Sequence, residues 1–164
     1  KALAKFFSLK SYSKIALYLP SDGEISPLPL LHNKIVKNIN FYLPILSKLA
    51  FQGLKFGVYH PNSILAPNKF SINEPVVHNK TLKSAEQLDV ILLPLVAFDA
   101  QGNRMGMGGG YYDRALQIRK TREGWRKPLL IGLAHDVQQS QLIENNAWDI
   151  PLDAIATESG LVWF

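Results

Sequence analysis

The run Arg104-Met-Gly-Met-Gly-Gly-Gly-Tyr-Tyr-Asp113 has the residue types and spacing to hold a polyphosphate. Gly106, Gly108, Gly109 and Gly110 permit positive φ angles and let main-chain N–H groups approach an anion closely. A helix expected to begin immediately behind them adds unpaired donors and a partial positive charge. Arg104 supplies a fixed guanidinium fork for phosphate oxygens. Asp113 offers a hard oxygen for Mg²⁺, an ion that keeps waters and bridges phosphates. No Gly-Lys-Ser/Thr follows and the glycine spacing is not the dinucleotide fingerprint, so this is a different phosphate-binding loop.

Other groups carry weaker signals. Glu24 follows an expected strand and the turn Asp22-Gly23, where it reads as a turn or first-turn acid or as a ligand carboxylate. Asp149, two residues before Pro151, reads by itself as a turn carboxylate. Of Tyr111 and Tyr112, one is expected in the core and the other toward ligand. His32, His60, His78 and His135 lack metal-ligand spacing, which speaks against zinc. His135, beside Asp136, is placed just past a strand.

These groups must be positioned by strands and helices in alternation. Strands are expected over 13–19, 55–59, 89–93, 129–134 and 153–157, with short ones at 69–72 and 161–164. Ser26-Pro27 suits a helix start, with Leu30, Leu31, Ile35 and Ile39 at helical spacing. Pro44 predicts a break near 40–43 and a second helical segment up to Gln52-Gly53. Further helices are expected over 82–88, 111–120 and 137–144. The alternation implies an α/β fold: one three-layer domain, residues 1–164, with a mainly parallel sheet and helices on both faces. The glycine run then lies at the C-terminal end of a buried strand, where open α/β sheets bind ligands.

Bulk properties narrow the classes. The 164 residues suit one domain, and 47% hydrophobic content suits a packed core. No apolar run approaches the ~18–20 residues of a membrane span. With no cysteine, thiol catalysis and disulfides are excluded, and a cytoplasmic setting is expected. The net charge of +5 suits an anionic partner. The densest basic group, Arg119 to Arg126 with Lys127, reads as a helix end and solvated loop, not a nucleic-acid footprint.

The stretch from Asp89-Val-Ile-Leu-Leu-Pro-Leu-Val-Ala-Phe-Asp99 through Asp113-Arg114 resembles the signature of the 5-formyltetrahydrofolate cyclo-ligase family. Tyr18-Leu-Pro-Ser-Asp-Gly-Glu-Ile25, Glu74-Pro75, Gly132-Leu-Ala-His-Asp-Val-Gln138 and Trp148-Asp-Ile-Pro-Leu-Asp153 with Thr157 are similar to its other blocks, in its order. The resemblance implies conversion of 5-formyltetrahydrofolate, ATP and Mg²⁺ to 5,10-methenyltetrahydrofolate, ADP and phosphate. In that chemistry the γ-phosphoryl moves to the formyl oxygen, the pteridine's neighbouring amine N10 attacks the activated carbon, and phosphate leaves. Protein groups mainly position and neutralise charge.

Carried over by position, the resemblance gives the ATP phosphates to Arg104, Met105, Gly106, Met107, Gly108, Gly109, Gly110, Tyr111 and Tyr112. It gives Mg²⁺ to Asp113 and Asp149. It gives the folate to Leu19 and Glu24, with Met107, Gly108, Gly109, Gly110 and Tyr111 where the two substrates meet; no catalytic residue is assigned. A carboxylate such as Glu24 can accept hydrogen bonds from a pterin's amino and ring N–H groups. The partners implied are small-molecule substrates, without nucleic acid or membrane, and the expected state is a monomer. There are three departures. Family members usually begin with a basic helix that reaches the ATP phosphates, and Lys1 and Lys5 stand too near the first strand to take its place. A folate- or nucleotide-binding domain without turnover is therefore the alternative reading. Trp148 stands where part of the family has histidine, and the segment from Leu30 to Gly53 reads as lengthened, with an extra helical turn or a reshaped folate entrance.

Overall fold

The computed structural model describes residues 2–34, 36, 38–47, 53–121 and 127–164. Its centre follows from the most apolar stretch of the chain. Helix α1 (Ala2–Ser8) leads into β1 (Lys14–Ala16), and β2 (Asn40–Leu46) pairs parallel with β1 and antiparallel with β3 (Leu54–Tyr59). A small antiparallel hairpin follows, β4 (Leu65–Pro67) with β5 (Asn73–Pro75). Strand β6 (Val90–Pro94) then enters the middle of the sheet. A second ribbon, β7 (Ala97–Phe98) with β8 (Arg104–Met105), carries the glycine run into α2 (Tyr111–Leu116) and α3 (Ile118–Thr121). Strands β9 (Leu129–Leu133), β10 (Ala154–Thr157) and β11 (Gly160–Trp163) complete the sheet, in the order β11-β10-β9-β6-β1-β2-β3.

The five inner strands are parallel, and an antiparallel strand closes each edge. Both faces are covered, as the sequence predicts. Side chains of β6 alternate between two clusters: Ile91 and Leu93 join Phe56, Leu116 and Leu130, while Val90 and Leu92 join Phe7, Leu17 and Ile131. Val90, Ile91, Leu92 and Leu93 are all at 0% exposure. Burying each contributes about 1.5–3 kcal/mol, which accounts for an uninterrupted apolar strand at the sheet centre. Helix α1 covers one face and α2 the other. Among the described residues no helix is long and apolar enough to cross a membrane.

Several expected elements differ. The helix predicted from Pro27 is a 3-10 turn over Leu28–His32, and Ile35 lies outside the described residues. Asn33 and the left-handed Asn38 (φ 58) suit turns, and Asn40 onward is captured by the sheet. The segment around Pro44 is strand β2, not a helix, and shows no extra helical turn; 48–52 lie outside the described residues. Pro44 is tolerated because its partner Phe56 directs its own N–H and carbonyl to Lys83, away from β2. The register with β1 has ended by then, at Ala16 opposite Tyr42, so no ladder bond is lost.

Residues 69–72 form the hairpin turn between β4 and β5, organised by the Asn68 side-chain oxygen accepting from Phe70 and Ile72 N–H. The helices expected at 82–88 and 137–144 shrink to 3-10 turns at Ala85–Gln87 and Asp136–Gln138. Tertiary bonds hold their flanks extended: Lys83 bridges Phe56, and Ser140 N–H donates to the Phe98 carbonyl. The helix expected over 111–120 is interrupted at Gln117 between α2 and α3. Nor is the basic stretch simply solvated. Arg119 makes a two-pronged pair with Asp153 (3.0 and 2.7 Å), and Lys127 reaches Asp89 at 2.9 Å; Arg122 and Arg126 lie outside the described residues.

Candidate active site

From β1 the chain crosses to β2 on one side, whereas β6, β9 and β10 extend on the other. The two C-terminal loops that flank this reversal carry nearly every residue singled out above. A parallel sheet opens a crevice there because neighbouring connections leave in opposite directions. The loop after β1 contains Leu19 and Glu24; the excursion after β6 contains the glycine run.

The glycine run is exposed from Gly106 to Gly109, and Met107 is 82% exposed. Gly108 and Gly110 adopt left-handed angles, φ 77 and φ 61. A Cβ at Gly106 or Gly108 would meet nothing within 4 Å, so the space beside these two glycines is open. At Gly109 it would strike the Tyr111 ring at 2.8 Å. Arg114 props the far side: its Nη2 donates to the Gly109 carbonyl at 2.9 Å, and its guanidinium lies 4.8 Å from the Tyr111 ring centre. Phe70, from the β4–β5 turn, packs edge-on to Tyr111 with ring centres 5.9 Å apart.

The base of the loop is set by Asp99, the one fully buried charged side chain among the described residues. Its oxygens accept from Gln101 N–H, Asn103 N–H, Asn103 Nδ2 and Ile143 N–H at 2.9–3.1 Å. Burial alone would favour the neutral acid; the Asn103 and Ile143 donors win and hold the carboxyl below its ordinary range. Asp99 thereby folds the turn that delivers Arg104, with three of these bonds local and the fourth reaching across to Ile143.

Arg104 and Asp113, placed by β8 and α2, meet directly: Nη2 to Oδ1 is 2.7 Å, with side chains 7% and 19% exposed. Arg104 Nε is buried with no hydrogen-bond partner. Asp113 Oδ1 also takes a long 3.4 Å contact from Ile150 N–H, so Asp149 adjoins the same point. Asp149 is a turn carboxylate as well, its Oδ2 accepting from Asn146 N–H at 2.7 Å. Oδ2 of Asp113 and Oδ1 of Asp149 carry no hydrogen bond among the described residues. Two bare hard oxygens of this kind suit Mg²⁺, whose remaining ligands are normally phosphate and water.

On the other wall, Glu24 folds back on its own turn, accepting from Ser21 N–H at 3.0 Å. Burial raises its pKa, opposed by that bond and reinforced by Asp22. Tyr18 donates to the Ile25 carbonyl at 2.5 Å. Burial raises the Tyr18 and Tyr112 hydroxyls, Glu24 raises both further, and Arg104 pulls Tyr112 the other way. Tyr112 therefore stands in the electrostatic neighbourhood of both Glu24 and Arg104, linking the two walls. Leu19 is half-buried beside them. Both tyrosines pack partly on the core: Tyr111 lies between Phe70 and Arg114, and Tyr112 is half-buried.

His135, at the end of β9, fastens the Glu24 turn. Its Nδ1 engages the Glu158 carboxylate and its Nε2 lies 3.3 Å from the Gly23 carbonyl. Glu158 also accepts from Asp136 N–H at 2.9 Å. The Glu158 hydrogen bond raises the imidazole pKa despite desolvation. A raised pKa in the folded state means the link is complete below about pH 6.5 and fades as pH climbs through the raised value. The His135 ring resonance is expected to titrate above that reference, and E158Q to bring its midpoint down. An unmoved midpoint would remove Glu158 as the cause.

The profile of the 5-formyltetrahydrofolate cyclo-ligase family matches residues 1–158. The 5-formyltetrahydrofolate cyclo-ligase of Escherichia coli K12 is 40% identical over 151 residues, 91% of this chain and 79% of that protein. The Haemophilus influenzae protein of the same name is 41% identical over 140 residues, 84% of this chain and 72% of its own length. Among solved structures, a 5,10-methenyltetrahydrofolate synthetase from Aquifex aeolicus superposes with a TM-score of 0.70 at 32% identity, covering 98% of this chain and 80% of that one.

Proposed function

This chain belongs to the 5-formyltetrahydrofolate cyclo-ligase family, and we propose that it closes the 5,10-methenyl ring of 5-formyltetrahydrofolate by using ATP at the crevice between β1 and β6. The observation that carries the assignment of residues is the open glycine cradle. Gly106 and Gly108 leave free space beside the loop, between β8 with its Arg104 and α2. Main-chain N–H groups there can close on a phosphate tail that a Cβ would displace.

In this reading Arg104 and the loop from Met105 to Tyr112 hold the phosphates and neutralise charge as the γ-phosphoryl moves to the formyl oxygen. Displacement of ADP leaves an imidate phosphate; attack by N10 on that carbon, with loss of its proton and of phosphate, closes the ring. Glu24 and Leu19 orient the pterin, with Met107 through Tyr111 at the junction. Asp113 and Asp149 would hold Mg²⁺, which supplies neutralisation of the triphosphate.

Short helices limit one expected contribution. Because α2 spans only Tyr111–Leu116, its dipole is small, and individual N–H groups carry the phosphate contact. The test separates ligand space from folding. G106A meets no neighbour, so its melting temperature is expected to stay within about 2 °C of the parent, consistent with the small effect of a change away from packed features. The KM for ATP, read by absorbance of the methenyl product, is expected to rise roughly tenfold, the equivalent of ~1.4 kcal/mol. An unchanged KM would mean that the phosphates do not enter the cradle.

A further inference from the structure

Two groups to which the proposed function gives separate partners are joined to each other. Arg104, assigned to phosphate, and Asp113, assigned to magnesium, form an ion pair at 2.7 Å with little access to water. The guanidinium keeps one buried donor, Nε, without an acceptor, while the cradle beside it stands open. An enclosed pair of this kind resists the loss of either member, because the charge left behind is uncompensated.

Resting on that reading of the site, we propose that the Arg104–Asp113 pair is a latch that makes nucleotide binding depend on the metal. Metal-free nucleotide must draw Arg104 from Asp113 and strand a carboxylate beside its own negative phosphates. Magnesium alone can rest on the bare Oδ2 of Asp113 while Oδ1 keeps Arg104, so the guanidinium goes free only when phosphates arrive to take it. The magnesium complex of the nucleotide satisfies both: the cation takes the carboxylate, and the phosphates take the guanidinium, including Nε. The site therefore discriminates against free nucleotide through its own resting contact and not only through the missing metal.

The experiment measures ATP binding by calorimetry without folate, in EDTA and in magnesium, for the whole chain and for D113N and D149N. In the parent chain, magnesium should tighten ATP binding by roughly 5–150-fold, the usual span of coupling between two ligands. D113N should bind metal-free ATP at least about fivefold more tightly than the parent, because Arg104 is released. It should also lose most of the response to magnesium. D149N removes an equal charge without touching Arg104, so its affinity in EDTA should not rise. Loss of a metal ligand alone leaves D113N unchanged in EDTA, and that result overturns the latch while leaving phosphate binding at the loop intact. If the parent binds ATP under neither condition, the site assignment fails and the latch with it. Should D113N not fold, the Nε–H resonance of Arg104 in the parent decides. It must shift with magnesium and ATP together and hold still with magnesium alone; a shift with the metal alone overturns the latch.

Discussion

Replacing Arg104 with alanine is expected to raise the KM for ATP by roughly ten- to a hundredfold while the KM for 5-formyltetrahydrofolate changes by less than about threefold. A hydrogen bond to a charged partner contributes about 1.5–3 kcal/mol, which converts to that span. Arg104 opens the two-residue strand β8 that leads into the cradle, whereas Leu19 and Glu24, assigned to folate, follow β1. Lost phosphate contacts should therefore reach the folate only through the bound nucleotide. R104A also leaves Asp113 without its cation, so the protein should be less stable, and rates must be referred to the folded fraction. R104K separates charge from geometry: lysine restores a cation but not the planar fork, and should recover part of the affinity. Equal losses for ATP and folate in R104A would place the residue in general architecture, not at the phosphates.

How far such a site could be read from sequence depends on whether each residue's job is local. Strand β6 was legible because an apolar run buried on both faces has few alternatives, and the glycine run because its composition states its conformational purpose. The crevice then followed from the strand–helix alternation. Strand β2 is not legible in the same way, because Phe41 to Leu46 is an apolar run that suits helix or strand, and Pro44 has the signal of a helix breaker. Only the partner strand shows that its missing N–H faces away from the ladder. Asp99 belongs to the signature stretch, but its four donors include one from residue 143, and no spacing reveals that contact. Glu158 escaped for the same reason: it meets His135 across 23 positions. Asp149 reads by itself as a turn carboxylate, and it bonds Asn146 as one; its link to Asp113 comes only through the neighbouring N–H of Ile150.

The largest expected effect on stability lies outside the glycine loop, at Gly53. The sequence placed this glycine at the end of a helix; in the structure it opens into β3 and presses against the first turn of α2. Its carbonyl accepts from Ser47 N–H at 3.1 Å, and its φ of 66 is left-handed. A Cβ there would sit 2.3 Å from the Tyr111 carbonyl oxygen, 2.9 Å from Ala115 N and 3.0 Å from Arg114 Cβ. Two of those neighbours are main-chain atoms that cannot swing aside. G53A thus incurs ~1–2 kcal/mol for the left-handed backbone and ~1–3 kcal/mol for overpacking. In a domain of this size that corresponds to a melting temperature lower by roughly 4–20 °C. Relief requires α2 to move, and α2 carries Tyr111, Tyr112 and Asp113. Activity should accordingly fall with respect to both substrates, unlike R104A. Gly23 provides the control, since its φ is 83 and a Cβ there meets nothing within 4 Å. G23A should lose only the backbone contribution, and the difference between the two melting temperatures reports the close approach to α2. Equal losses in G53A and G23A would mean that α2 does not rest on this glycine, and that the helix holding half of the site is positioned by something else.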